Sequence, residues 1–181
     1  EEMMTTYYKL TTQNNRSAHG DLTWGEGITH SVAGPLVLCK NGIHVYTDPV
    51  LALFLNPIDA NITTPVVWTG VAEGDHTEGQ LKIAVQQFTT IRIVEVQSPT
   101  LPQRVTFGIL AALEVYREPR FVEWTEKWLS GQDRSRASAR AAGAAAWAAA
   151  ADVPINFAEL ATRAMQAEHT YEKSLAAKRA Q

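Results

Sequence analysis

Hydrophobic and polar positions follow different patterns in the two halves of the chain. Up to about residue 98, short runs rich in β-branched and aromatic residues alternate with Gly, Asn and Pro, which is typical of strands joined by turns. Beyond it, apolar residues recur at spacings of three and four among Ala, Glu and Arg, which indicates amphipathic helices. We therefore predict an α+β protein. A mixed or antiparallel β-rich domain would span residues 3–98, and a helical region would span residues 99–181.

Six short segments are strand candidates in the first domain. Asn41-Gly42 separates the apolar runs 36–39 and 43–46, and this pattern strongly favours a hairpin. One helix is expected to begin at Asp48-Pro49 and to end at Asn56-Pro57. The last strand candidate does not alternate cleanly, so we expect burial over most of both of its faces. The remaining candidates are residues 7–10, 65–72, 80–85 and 88–96.

Four helices are expected in the second region. The first begins at Thr100, which has capping-box spacing to Gln103, and the second begins at Pro119. The third carries the alanine block of residues 137–151, and the fourth begins at Asn156. Alanine favours helix but buries little surface. The alanine block therefore predicts a thin helix packed on a neighbour or on a second subunit, or else a low-complexity linker. We expect a homo-oligomer.

Composition and net charge exclude or disfavour several classes of protein. Hydrophobic residues make up 45% and charged residues 19% of the chain, which is typical of a globular protein. A net charge of −3 disfavours binding to duplex nucleic acid. The single cysteine, Cys39, excludes a disulfide framework, and its apolar surroundings predict a buried, inert thiol. Neither an apolar run of membrane-spanning length nor the pattern of a signal peptide is found, so we expect a cytoplasmic protein without membrane contact.

Polar side chains suited to a ligand are concentrated in the first domain, along the first strand, the long loop after it and the expected hairpin. Lysine and arginine can bind phosphate, and an indole can stack on a base. The expected roles are phosphate binding for Lys9 and Arg16, stacking or capping for Trp24, hydrogen bonding to ribose or phosphate for His30, His44 and Tyr46, and reading of base edges for Gln13 and Asn14.

Other chemistries find little support in the sequence. His19, His30 and His44 lack the spacing of a helical metal site, and no glycine-rich phosphate loop is present, so no metal and no cofactor is expected. If the protein is an enzyme, His30 and His44 are the candidate acid and base for metal-independent cleavage of a phosphodiester.

Residues 42–53 run from a strand carrying Tyr46, through Thr47, into a short helix. This stretch, with His19-Gly20 upstream, resembles the middle of an ADP-ribosyltransferase-like core. The nearest candidates for the catalytic glutamate of that core are Glu73 and Glu78. A core kept without that glutamate implies binding of an ADP-ribose-like ligand without group transfer.

A wider pattern joins Trp24-Gly25-Glu26-Gly27 to Leu38-Cys39 and residues 42–49, followed by an alanine-rich tail. In this respect the chain resembles an uncharacterised domain family of phages and actinobacteria. The resemblance implies a phage accessory protein. Because small phage proteins include sponges for nucleotide immune signals, we expect this one to sequester a nucleotide-derived signal, such as a cyclic ADP-ribose variant or a cyclic dinucleotide, and so to counter host defence. The alternatives are an enzyme that cleaves such a nucleotide and a structural or protein-binding phage protein. Both ligand hypotheses require Arg16, Trp24, His30 and His44 to share a cavity.

Overall fold

The computed structural model describes residues 5–77, 79, 81–132 and 154–167. The chain divides into two units, Glu1–Ser98 and Pro99–Gln181. The first is built on an antiparallel sheet and the second on helices, which confirms the predicted α+β class. The expected alanine-rich helix of residues 137–151 lies outside the described residues.

The first unit is built on one antiparallel sheet. Within the described residues, its strands are β1 (Thr6–Thr11), β2 (Thr29–Ser31), β3 (Ile43–Val45), β4 (Val66–His76) and β5 (Ile83–Val94). β5 pairs with β4, with β3 near its start and with β2 farther along. Tyr8 and Tyr46 exchange two backbone hydrogen bonds of 2.9 and 2.8 Å, which join the chain just after β3 to β1. The sheet therefore curls back on itself.

The core of this unit is an apolar cluster contributed by β3, β5 and one loop residue. Ile43 and Val45 alternate along β3 and pack with Val85 and Phe88 of β5, and Trp24 of the loop between β1 and β2 joins them. All five are buried, and Phe88 is 0% exposed. Burial of these large side chains supplies the main driving force for closing the sheet.

The predicted hairpin around Asn41-Gly42 is wrong. Residues 36–39 form no strand; they belong to a compact loop with a single bridge between Val37 and Asn41. The Asn41 side chain donates hydrogen bonds to the carbonyls of Ala33 and Pro35, which holds this loop together. Only β3 of the expected pair forms, and it pairs with β5 instead.

Two further strand predictions need correction. Residues 80–85 and 88–96, expected as separate strands, contribute to the continuous strand β5, whereas β2 was not predicted at all. β5 is not buried on both faces throughout, because Ile91 and Ile93 are 44% and 52% exposed. Ile91 also lies at a β-bulge, since Thr69 pairs with Arg92 and Gly70 pairs with Thr90.

Helix α1 (Pro49–Asp59) begins where the sequence predicts, because the Asp48 side chain accepts a hydrogen bond of 2.8 Å from the Leu51 amide. Its predicted end at Asn56-Pro57 is too early, since the helix continues through Pro57. The chain turns only afterwards, where the Asn56 amide pairs with both backbone groups of Ile62 at 2.8 and 3.0 Å. The longer helix places Asp59 at its last position.

The second unit contains three described helices, α2 (Leu101–Val115), α3 (Pro119–Leu129) and α4 (Phe157–Gln166). They begin where the sequence predicts, and Thr100 and Gln103 form the expected capping box. The buried Gln103 amide also donates to the carbonyl of Met165, which ties the start of α2 to α4.

Gly108→Ala is expected to stabilise the helical unit by about 1 kcal/mol, because alanine favours the helix interior over glycine. An added Cβ at this exposed α2 position meets no atom within 4 Å. Urea unfolding of the full chain, followed by the helical circular dichroism signal, measures the change. The reverse substitution at the neighbouring Ala111, Ala111→Gly, should lower the stability of the same unit. A lower unfolding midpoint for Gly108→Ala would contradict the prediction.

Candidate functional site

A small pocket opens in the first unit between β1, the chain just after β3, the end of α1 and the start of β5. Its volume is about 130 Å³. A cavity of about 150 Å³ can hold a benzene-sized molecule, whereas pockets that enclose whole ligands measure about 300–1,000 Å³. The pocket therefore has room for one chemical group of a ligand. Its polar lining consists of Lys9, Ser17, His19, His44, Tyr46, Asp59 and Lys82.

Lys9 is an unusual lining residue because its charged side chain is buried. It lies in β1, on an inward-facing position, and only 7% of the residue is exposed. Its Nζ donates to the His44 carbonyl at 3.3 Å and lies 5.0 Å from the centre of the Trp24 ring. Among the described residues, no carboxylate forms an ion pair with it. Burial lowers the pKa of Lys9 to about 8, so the ammonium form is kept at a cost at neutral pH.

On the other side of the pocket, Asp59 joins two neighbours. Its carboxylate accepts a hydrogen bond of 2.9 Å from Lys82 Nζ and a longer one of 3.4 Å from the Tyr46 hydroxyl. Burial, then the charge of Asp59 and the hydrogen bond to it, raise the pKa of Tyr46 far above its usual value. Burial lowers the pKa of Lys82, but the hydrogen bond and charge of Asp59, with smaller contributions from Cys39, outweigh it and raise the pKa. Tyr46 therefore stays protonated and Lys82 stays charged.

His44 lies between the two lysines and is held by the loop before it. The backbone amide of Cys39 donates to its Nε2 at 3.0 Å, so the proton of the neutral ring is on Nδ1. Burial, followed by the charges of Lys82 and Lys9, lowers the pKa of His44, and Asp59 opposes them in part. His44 is therefore neutral near pH 7. With Lys9 and Lys82 charged against one Asp59, the pocket has a net positive charge.

The expectation that Cys39 is buried is wrong. The residue is exposed, has a φ of 66° in the loop and interacts with Lys82. The sequence prediction assumed a strand over residues 36–39, and that strand does not form.

Three of the eight predicted ligand residues, Lys9, His44 and Tyr46, line this pocket. Trp24 is 3% exposed and lies in the core beneath Lys9, so it presents no free ring face for a base. Its Nε1 donates to the Ser17 hydroxyl at 2.8 Å, which fixes the indole. The His30 ring packs edge-on against Trp24 and bonds to the Thr23 carbonyl at 2.8 Å.

The other predicted residues lie on the surface. Arg16 pairs with Asp21 at 2.6 Å, and Gln13 and Asn14 are exposed in the loop after β1. This pocket does not bring together Arg16, Trp24, His30 and His44, the four residues that both ligand hypotheses expected to share a cavity, since His44 is the only one of the four that lines it. The histidine pair of the enzyme alternative is likewise not brought together at this pocket.

Asp59 and Lys82 were missed by the sequence prediction. Asp59 is the last residue of α1 and Lys82 immediately precedes β5, so 23 residues separate them. No spacing rule links the two positions. The sequence offered one signal for Asp59 only if α1 had been predicted to extend beyond Asn56-Pro57. The longer helix ends at Asp59, whose carboxylate then reaches Tyr46.

The features that resemble an ADP-ribosyltransferase-like core are only partly close to the pocket. His19 lines it together with Tyr46, and its Nε2 lies 3.5 Å from the Asp59 carbonyl. Glu73 bonds instead to Gln87 on the exposed part of the sheet at 2.7 Å, and Glu78 lies outside the described residues.

The described part of the chain contains neither a candidate metal site nor a candidate membrane-spanning helix. No group of three or more His, Cys, Asp or Glu side chains there could hold a metal ion. None of the helices in that part combines the length and the apolar character that crossing a membrane requires.

The pocket thus combines one buried ammonium that pairs with no carboxylate of the described residues, one paired ammonium and a neutral histidine. This arrangement suits an anionic oxygen group better than a cation or an apolar group. No protein-family model matches the chain, and no curated protein or solved structure is significantly similar to it.

Proposed function

We propose that this protein binds a small anionic ligand, such as the phosphate-bearing end of a nucleotide-derived molecule, in the pocket between Lys9 and Lys82. The buried Lys9 ammonium carries the proposal. It has one recorded hydrogen bond and no carboxylate partner within the described chain, although a lysine has three donors. A ligand oxygen in the pocket would supply the missing acceptor and the missing negative charge.

The size of the pocket supports binding of one end of the ligand only. About 130 Å³ accommodates a phosphate or carboxylate group, and the remainder of a nucleotide would lie outside, over the surface next to His19. The more specific hypotheses remain predictions: a cytoplasmic phage protein, sequestration of an immune signal, and paired pockets in a homo-oligomer.

The test is retention of ligand during ultrafiltration, with detection by mass spectrometry before and after heat denaturation. The panel contains inorganic phosphate, ribose 5-phosphate, ADP-ribose, a cyclic ADP-ribose variant and a cyclic dinucleotide. Release of the intact compound on heating indicates sequestration, and release of a cleaved compound indicates an enzyme. If the protein retains none of the panel, the proposed function is wrong.

For any retained compound, Lys9→Met and Lys82→Met are each expected to weaken binding by about ten- to a hundredfold. The reason is that a hydrogen bond to a charged group contributes about 1.5–3 kcal/mol. The exposed Lys40 provides the matched control, since Lys40→Met removes a positive charge from a residue that is not part of the pocket lining. Calorimetric titration measures the affinities.

Affinity should also fall as the pH rises through about 8, because the Lys9 ammonium is then lost. Equal weakening by all three variants would indicate attraction to general positive charge and would contradict binding in the pocket.

A further inference from the structure

Lys9 combines two properties that an anion-binding lysine does not need. Lys9 is one of the residues that line the small pocket, and among the described residues its Nζ is near an indole face and a backbone carbonyl, with no carboxylate paired to it. Lys82, in the same lining, is in contrast paired to Asp59 at 2.9 Å. The pocket therefore contains two amines with different environments, one suited to losing its proton and one suited to keeping it.

We propose that Lys9 is a nucleophile that forms an imine with a small aldehyde or ketone whose anionic group is held at Lys82. This inference rests on the proposed function, because the anionic group of the ligand occupies the same pocket.

The step balances without an oxidant or reductant. The lone pair of the neutral Lys9 amine forms the N–C bond, and the electron pair of the carbonyl moves to its oxygen, which takes up a proton. The nitrogen loses one proton to give the carbinolamine, the hydroxyl group takes up a proton and leaves as water, and the nitrogen then releases its second proton to give the neutral imine. The net reaction converts one amine and one carbonyl compound into one imine and one water molecule.

The charged and titratable groups around the pocket suit these roles. A pKa of about 8 leaves roughly a tenth of Lys9 neutral at pH 7, whereas an ordinary lysine is neutral to about 0.03%. Lys82 stays charged through Asp59 and provides both the attraction for the anionic group and a donor for the carbonyl oxygen. The other titratable groups of the lining are His19 and His44, and Tyr46, whose raised pKa keeps it protonated.

The experiment treats the full chain with glyoxylate, a small anionic aldehyde, and with acetaldehyde, which carries no charge. Cyanoborohydride at about pH 7 traps any imine as a stable secondary amine, and peptide mass spectrometry gives the initial rate at each lysine. The exposed Lys40 serves as the internal reference in the same molecule, so the comparison needs no variant that must fold. The variant Lys82→Met tests the anion-holding role separately.

We expect glyoxylate to label Lys9 at least about tenfold faster than Lys40, because the difference in neutral fraction is several hundredfold before access is taken into account. Lys82→Met should reduce labelling of Lys9 by glyoxylate several-fold more than it reduces labelling by acetaldehyde, because only glyoxylate carries the anionic group that Lys82 holds. If neither aldehyde labels Lys9 faster than Lys40, the assignment of Lys9 as a nucleophile is wrong. Anion binding is judged separately, by whether the protein retains phosphate. Preferential labelling by acetaldehyde without an advantage for glyoxylate would overturn the anionic ligand class assigned to Lys82.

Discussion

Gly70→Ala is expected to destabilise the sheet unit by about 3 kcal/mol or more. Gly70 lies in β4 where the pairing with β5 shifts past the bulge at Ile91. A Cβ at this position would overlap the Thr89 carbonyl oxygen and the Phe88 ring. Neither can move freely, because Thr89 is part of the sheet backbone and Phe88 is 0% exposed in the core. Overpacking a core typically costs about 1–3 kcal/mol, and a clash with backbone costs more.

Urea unfolding followed by tryptophan fluorescence measures the effect, since Trp24 and Trp68 are both buried in this unit. Gly25→Ala is the matched control in the same unit. Its added Cβ would approach only the Ile28 side chain, at 3.3 Å, and Ile28 is exposed and able to shift. The control should stay within about 1 kcal/mol of the unsubstituted protein. A similarly small change for Gly70→Ala would show that β4 and β5 can separate locally at the bulge.

Lys9→Met is expected to stabilise the protein by roughly 2–3 kcal/mol near pH 7. Methionine fills a similar volume over Trp24 without a charge to bury. The pKa of Lys9 is about 8 in the folded chain, against the ordinary 10.5. The unfolded chain therefore binds more protons between these two values, and stability rises with pH in that window. Between about pH 7.5 and 9.5 the expected gain from Lys9 is roughly 2 kcal/mol.

Chemical unfolding of Lys9→Met and of Lys40→Met across this pH range checks the assignment to Lys9. The Lys9 variant should lose the rise of stability with pH, whereas the exposed Lys40 variant should keep it. Tyr46 limits the range at its upper end, because its raised pKa makes the folded state lose stability once unfolded tyrosines ionise. If Lys9→Met lowers stability at neutral pH, the ammonium is compensated in the free protein. The case for an anion as its missing partner then fails.

Local sequence signals predicted the helix starts well. Asp48, Thr100 and Asn156 each accept a hydrogen bond from a backbone amide in the first turn that follows, as their residue types indicate. These contacts involve groups within three residues of each other, so the chain forms them independently of the rest of the fold. The end of α1 was less predictable, because it depends on the Asn56 pairing with Ile62 in the following loop.

Strand pairing depended on residues that are far apart in the sequence, so no short stretch of the sequence could predict it. Asn41-Gly42 matches the residue preference of a hairpin turn, yet β3 pairs with β5, about 40 residues away, because this buries Ile43 and Val45 against Val85 and Phe88. The free energy gained by burying these side chains against a distant strand outweighed the local preference of Asn41-Gly42 for a hairpin turn. The short strand β2 depends in the same way on its register with β5, where His30 pairs with Phe88.

For the site, the sequence by itself determined that polar side chains cluster in the β-rich part, and it included Lys9, His44 and Tyr46 among the candidates. Only the tertiary structure decided which of these side chains converge. Closing the sheet through Tyr8 and Tyr46 brings the end of α1 and the start of β5 to the same place, which adds Asp59 and Lys82. It also buries Trp24 and leaves Arg16 on the surface. The physical reason is that residue type specifies local hydrogen bonding and charge, whereas the environment of a charge depends on elements that are distant in sequence and meet only on folding.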